Sequence, residues 1–160
     1  MIEILALTPD DWRLWRRLRL DALTEAPYAF GSRLADWQGD GDREERWRGR
    51  LSVPGSYNLL ALADGDHVGM AGGIPAPHGH AELISLWVAP AARGLGVGDA
   101  LIRAVERWAA DNGAPTLRLA VAPDNTAALA LYARHAFTPT AEPGDLLPDG
   151  RRELILAKPL

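Results

Sequence analysis

The chain has 160 residues, 48% hydrophobic and 24% charged, which is enough to bury one sizeable core and too apolar for a disordered segment. A formal net charge of −4 disfavours general nucleic-acid binding, and no apolar run approaches the roughly 18 residues of a membrane span. With no cysteine there are no disulfides or thiolate metal sites, and MIEILALTPDD lacks a basic signal-peptide start; the expectation is one cytoplasmic domain over residues 1–160, without nucleic-acid or membrane partners.

In chain order, Ile2 to Leu7 reads as a strand. Thr8-Pro9-Asp10-Asp11 reads as a helix start, with Thr8 as cap, proline at the first helical position and an acid three residues after the cap. Trp15, Leu18 and Ala22 share the inner face of that helix, which ends before Pro27. Arg13, Arg16, Arg17 and Arg19 read as a solvated polar face. A loop follows at Tyr28 to Ser32, then irregular helical pieces over 33–51 interrupted by Gly39 and Gly41. Tyr57 to Ala63 and His67 to Ile74 form a hairpin across Asp64-Gly65-Asp66. A turn at Pro75 to Gly79 leads into the strand ELISLWVAP; His78 and His80 in and beside it have no carboxylate or cysteine partner, so no metal is expected. A helix spans about Asp99 to Asn112, with Leu101, Val105 and Trp108 at helical spacing and Gly113 as its stop. Thr116 to Val121 is a strand, and Asp124 or Asn125 caps a helix running to about His135. Two last strands fall near Ala136 to Ala141 and Glu153 to Ala157, separated by the turn-rich GDLLPDGR.

The junction RGLGVG is the richest in chemistry. Gly94, Gly96 and Gly98 leave a stretch of backbone bare of Cβ atoms, so several N–H groups can converge on one anion. The following helix adds its unpaired first-turn N–H groups and the positive end of its dipole, and Arg93 adds a full charge. A phosphate or pyrophosphate is the expected ligand. The spacing lacks the Lys-Ser/Thr of a Walker loop, and G-x-G-x-G is not the dinucleotide fingerprint G-x-G-x-x-G, whose acidic partner is also missing from TLRLAV. The alternative is that the glycines only let a helix pack close to the sheet.

Arg93, Gly96 and Gly98 resemble the R/Q-x-x-G-x-G/A signature of the GCN5-related N-acetyltransferase (GNAT) superfamily. The preceding strand ends Val88-Ala89-Pro90, as is common there, and Asn125-Thr126-Ala127-Ala128-Leu129-Ala130-Leu131-Tyr132 with Phe137 resembles the N-x-x-A-L-x-L-Y-x-x-x-G-F block. Ala136 stands where the block usually has glycine, and His135 where it often has leucine. The resemblance covers residues 80 to 138 strongly; AFGS at Ala29 to Ser32 and PDGR-x-EL near the end match more loosely. It implies an α/β fold: a mixed, mostly antiparallel six- to seven-stranded sheet flanked by about four helices and splayed at the cofactor strand. It also implies acetyl-CoA as acyl donor, an amine acceptor and no metal, and it is compatible with a homodimer.

By the same resemblance, Leu86, Trp87 and Val88 pair with the pantetheine arm, the N–H near Val88 faces the acetyl oxygen, and Arg93, Gly94, Leu95, Gly96, Val97, Gly98 and Asp99 hold the pyrophosphate. Asn125 reaches the pantetheine or is a plain helix cap, and Arg93 has the alternative of a surface charge. Tyr132 protonates the departing thiolate, against a packing role alone. Glu82 is the candidate base, against a solvent-facing acid at a strand end; strand alternation places it on one face with Ile84, Leu86 and Val88. The acceptor site falls to Tyr28, Phe30, Trp37, Trp47 and the segment around Glu142 to Arg151. Without cysteine, either the amine attacks acetyl-CoA directly or a non-thiol nucleophile intervenes, and the sequence has no G-x-S-x-G elbow to supply one. Two other readings remain open: an acyltransferase using a longer acyl-CoA, and a non-catalytic CoA-binding sensor.

Overall fold

A computed structural model of the chain describes residues 1–30 and 33–160, apart from the side chain of Tyr28. Seven strands form one sheet: β1 (Ile2–Ala6), β2 (Tyr57–Ala63), β3 (Asp66–Pro75), β4 (Ala81–Val88), β5 (Thr116–Val121), β6 (Thr138–Leu146) and β7 (Arg152–Pro159). Their spatial order is β1-β2-β3-β4-β5-β7-β6, and every pairing is antiparallel except β4 with β5. Four α-helices accompany it: α1 (Trp12–Glu25), α2 (Glu44–Arg50), α3 (Val97–Asp111) and α4 (Thr126–Arg134). None of the described helices is long and apolar enough to cross a membrane.

Local chemistry sets most of the joints. The Thr8 N–H donates to the Asp11 carboxylate at 2.7 Å, closing the entry to α1 as the Thr8-Pro9 signal predicts. The β2–β3 turn places Asp64 at φ 51° and Gly65 at φ 87°, the two left-handed residues that a two-residue hairpin with matching twist requires. Helix α3 starts two residues earlier than expected, because Gly96 (φ 86°) itself takes the N-cap position and Val97 is already buried. The last hairpin is longer than expected: β6 and β7 stay paired through register shifts at Pro139, Pro143 and Leu146, and the ladder absorbs most of GDLL.

The sheet is covered on both faces, so β2 and β3 carry continuous buried runs rather than alternating. In β2, Leu59 and Ala61 pack into a core with Val97, Leu101, Ile102 and Val105 of α3, while Leu60 points the other way to Trp15, Leu18 and Leu23 of α1. Trp15 and Trp47 are fully buried in this second core, with ring centroids 5.7 Å apart, and Trp87 joins them. Each fully buried tryptophan is worth about 3–5 kcal/mol against alanine, so α1 and α2 are held to the sheet mainly by these rings.

Candidate active site

Strand β4 pairs with β5 only at its beginning, through Ala81↔Leu117 and Glu82↔Arg118. Beyond Glu82 the two strands part, and the edge of Leu83 to Val88 that faces β5 has no ladder partner among the described residues. A cavity of about 580 Å³ opens in the gap, lined by Leu83 to Val88, by Ala120 and Val121 of β5, and by Asn125, Leu131 and Tyr132 of the α4 segment. An unpaired strand edge inside a protein needs another backbone-like partner, and an extended chain of amides fits that need.

A β-bulge shapes the open edge. Pairing with β3 slips by one residue between Gly72↔Ile84 and Met70↔Trp87, and Ser85 within the slip is left-handed at φ 58°. The extra residue reverses the alternation, so the expected shared face of Glu82, Ile84, Leu86 and Val88 is not what forms. Leu86 and Val88 pack into the α3-side core with Ala81 and Leu83, while Trp87 packs into the α1-side core. Glu82 and Ile84 therefore face the side that Trp87 faces.

At one end of the gap lies the glycine loop. Gly94 (φ 79°) and Gly96 (φ 86°) adopt left-handed backbone that a side chain resists. Gly98 serves close packing instead: a Cβ there would come within 3.1 Å of Leu131 Cδ2 on α4. Arg93, Gly94, Gly96, Val97 and Gly98 line the cavity, whereas Leu95 is exposed outside it. Asp99 turns away to Arg134 (3.2 Å) and His135 (Nε2 at 2.6 Å), and these contacts, chiefly the His135 bond, hold its carboxyl below its usual pKa. Arg93 is braced. Its Nε donates to the Val88 carbonyl at 3.0 Å and its Nη2 to Glu25 at 2.8 Å, and Glu25 also accepts the Trp87 indole N–H at 3.0 Å. Glu25 thus ties α1 to the end of β4, a role its place in the sequence does not signal.

Helix α4 carries Asn125 and Tyr132. The Asn125 side chain caps the helix, accepting from the Ala128 N–H at 3.3 Å, and also lines the cavity. Tyr132 lies two turns further on, buried, its ring edge-on to Phe137 at 5.8 Å. Its hydroxyl makes no hydrogen bond among the described residues, and burial raises its pKa above the ordinary tyrosine value. The helix ends in a Schellman turn, with the Phe137 N–H on the Tyr132 carbonyl (3.1 Å), the Ala136 N–H on the Ala133 carbonyl (3.1 Å), and Ala136 left-handed at φ 66°.

Glu82 lines the cavity together with Asp145 of β6 and Glu153 of β7. Burial lifts the pKa of Glu82; nearby Arg118 opposes this and Asp145 adds to it. Glu153 is raised for the same first reason, with Asp145 and Glu82 adding. Asp145 is what the predicted acceptor segment 142–151 contributes to the lining; neither Asp145 nor Glu153 had a sequence motif to single it out. Of the aromatic candidates, Phe30 lines the cavity, while Trp37 and Trp47 pack on each other at 4.6 Å outside it. The Tyr28 side chain, Gly31 and Ser32 lie outside the described residues.

One expectation about α1 fails. Arg16 pairs with Asp42, its Nε 2.8 Å from Oδ1, and belongs to the polar face as expected, but Arg19 is only 6% exposed and lines the cavity. Its position follows from helical geometry: the buried residues Trp15, Leu18, Arg19, Ala22 and Leu23 fall at the i, i+3, i+4, i+7, i+8 spacing of an inner face. That spacing was present in the sequence and outweighs the side chain's charge.

The family model described as Acetyltransferase (GNAT) family matches residues 12–137. The uncharacterized N-acetyltransferase YobR of Bacillus subtilis (strain 168) is 30% identical over 109 residues, 66% of this chain and 44% of that protein. The chain spans less than half the length of the curated relatives it matches. Among solved structures, an acetyltransferase of the GNAT family from Streptococcus pneumoniae superimposes with TM-score 0.78 at 20% identity, covering 100% of both chains. The PaiA N-acetyltransferase of Thermoplasma acidophilum, in complex with coenzyme A, gives 0.77 at 22% identity, covering 100% of this chain and 99% of that one. With the splayed sheet, glycine loop and α4 block on one cavity, and the family match running from α1 to Phe137, the chain belongs to the GNAT acetyltransferase family.

Proposed function

We propose that residues 1–160 form an N-acetyltransferase domain that moves the acetyl group of acetyl-CoA directly onto a primary amine within a ternary complex. The observation that carries this reading is the parting of β4 from β5 after Glu82, which opens an unpaired strand edge beside a glycine loop and a tyrosine on one cavity. When bound, acetyl-CoA supplies an activated thioester acyl group. The chain's residues do the rest. The β4 edge around Leu86, Trp87 and Val88 positions the pantetheine amides, and an N–H of that edge stabilises the negative charge that develops on the acetyl oxygen. Asn125 borders the same channel. The N–H groups of Gly94 to Gly98, with the first turn of α3, hold the pyrophosphate, and Arg93 adds charge at the rim.

An alkylammonium of pKa about 10.4 must lose a proton before its nitrogen can attack, costing roughly 4 to 5 kcal/mol at pH 7. Glu82, raised by burial, is a stronger base than a surface carboxylate and receives that proton directly or through water. Tyr132, whose raised pKa keeps it protonated, donates to the departing sulfur. The test is release of CoA thiol from acetyl-CoA across an amine panel, read colorimetrically; the protein has no cysteine to add background. The expected result is amine-dependent thiol release. Acetyl-CoA binding without release above amine-free hydrolysis, for every amine, contradicts an enzymatic role.

A further inference from the structure

The α1 side of the cavity holds a concentration of positive charge that acetyl transfer does not use. Arg19 lines the cavity while almost fully buried, and among the described residues it has no carboxylate partner. Its Nη1 reaches only the Ser85 hydroxyl, at 3.4 Å, and its buried Nε has no hydrogen-bond partner. Arg50 of α2 approaches the same hydroxyl from the other element, with Nη2 at 3.3 Å, and it too has no acid partner among the described residues. Both guanidiniums lie against the Trp15 ring, at 5.8 and 5.3 Å, and Arg19 also lies against Phe30 at 4.8 Å. Burial, with Arg50 adding, lowers the Arg19 pKa to about 10, and burial lowers that of Arg50. A buried and a half-buried cation converging on one neutral oxygen is an arrangement that folding alone disfavours, since charges removed from water are normally paired. The planar fork of arginine suits a carboxylate or phosphate, and the unpaired Nε is the donor that such a group would take.

The same cavity also carries the reverse sign, with Glu82, Asp145 and Glu153 in its lining. Glu82 and Ser85 are three residues apart on β4, at most roughly 10 Å of strand. We propose that the acceptor is an amine that also carries an anionic group, carboxylate or phosphate, which Arg19 binds at the Ser85 bulge with Arg50 behind it, while the ammonium faces the acids. This deepens, and rests on, the acetyltransferase reading. Ser85 is the hinge of the arrangement: the bulge that reverses the face of β4 also turns its hydroxyl toward both arginines.

The test is calorimetric binding to the protein saturated with CoA, so that no turnover occurs. The probes are matched pairs: the common amino acids against their carboxamides, and O-phosphoethanolamine against ethanolamine. In at least one pair the anionic member should bind about tenfold or more tightly, because a site with unpaired donors rejects the partner that cannot fill them. The phosphate pair and the carboxylate pairs separate the two sources of anion. That preference should fall to within about threefold in Arg19→Gln and in Arg50→Gln. No anionic preference in any pair, no binding by any probe, or a preference that survives both substitutions overturns the proposal. Ligand-free unfolding of Arg19→Gln adds a readout that separates binding from structure: an unchanged or higher midpoint is expected, and a lowered one identifies a packing residue. If Arg19→Gln does not fold, Arg50→Gln carries the comparison. Thiol release from the same pairs keeps the two readings apart: equal turnover of charged and uncharged amines sinks this proposal and leaves acetyl transfer standing, and anion-selective binding without turnover sinks acetyl transfer and leaves only the Arg19 anion subsite standing.

Discussion

Tyr132 and Glu82 are both pushed toward their protonated forms by burial, and opposite uses are proposed for them. A tyrosine that holds its proton is a donor, whereas a carboxyl with a raised pKa is a better base whenever it is ionised. Because a CoA thiolate leaves tolerably unaided, Tyr132→Phe should lower kcat by roughly ten- to a thousand-fold, with the acetyl-CoA KM little changed. Steady-state kinetics on the best acceptor checks this; an unchanged kcat makes Tyr132 a packing residue. For Glu82 the sign follows from linkage. The folded chain binds its proton more tightly than the unfolded chain, so the group costs nothing below the unfolded value near 4.3 and costs stability as pH rises through the higher folded value. Glu82→Gln should therefore be more stable than wild type at neutral pH, with the difference vanishing in acid. Urea denaturation across that pH range reads it directly, and a pH-independent difference contradicts the assignment.

Elements were legible where their signals are contiguous. RGLGVG, the strand before it and the Asn125–Tyr132 block each carry a local pattern, and the structure brings all three to one cavity. The bulge in β4 was not legible, since ELISLWV reads as one unbroken strand and nothing local demands a left-handed serine. Its surroundings come from α1 and α2, through the long-range contacts of Arg19 and Arg50 with Ser85. Arg19 itself was hidden by charge: its helical position places it inside, yet its residue type reads as surface. The departure at Ala136 now has a physical meaning. It occupies the left-handed position of a Schellman turn, where a Cβ costs about 1–2 kcal/mol and glycine's extra chain entropy costs about 0.5–1. Ala136→Gly should thus stabilise the fold by up to about 1.5 kcal/mol in chemical denaturation. A loss of stability shows that the methyl group's packing outweighs the strain.

At the scale of the molecule, a sheet covered on both faces is split along one seam, and the seam holds the proposed site. The α3-side core anchors the glycine loop through Val97 and Leu101, and the α1-side core anchors Trp87 and the arginines, so the walls of the cavity belong to two separately packed layers. The seven-strand order and the flanking helices agree with the architecture that the RGLGVG and Asn125–Tyr132 resemblance implies. The identity of the acceptor was not legible, because the groups proposed to face it (Arg19, Ser85, Asp145, Glu153) come from four elements without a shared motif. The central proposal is that the seam receives acetyl-CoA. The decisive measurement is thermal unfolding with acetyl-CoA, against NAD and ATP as controls. Ligand at a hundred times Kd adds about 2.7 kcal/mol, a rise of roughly 5 to 10 °C for a domain of this size. That rise with acetyl-CoA and not with the controls is the predicted result; no shift with acetyl-CoA, or one only with NAD or ATP, contradicts it.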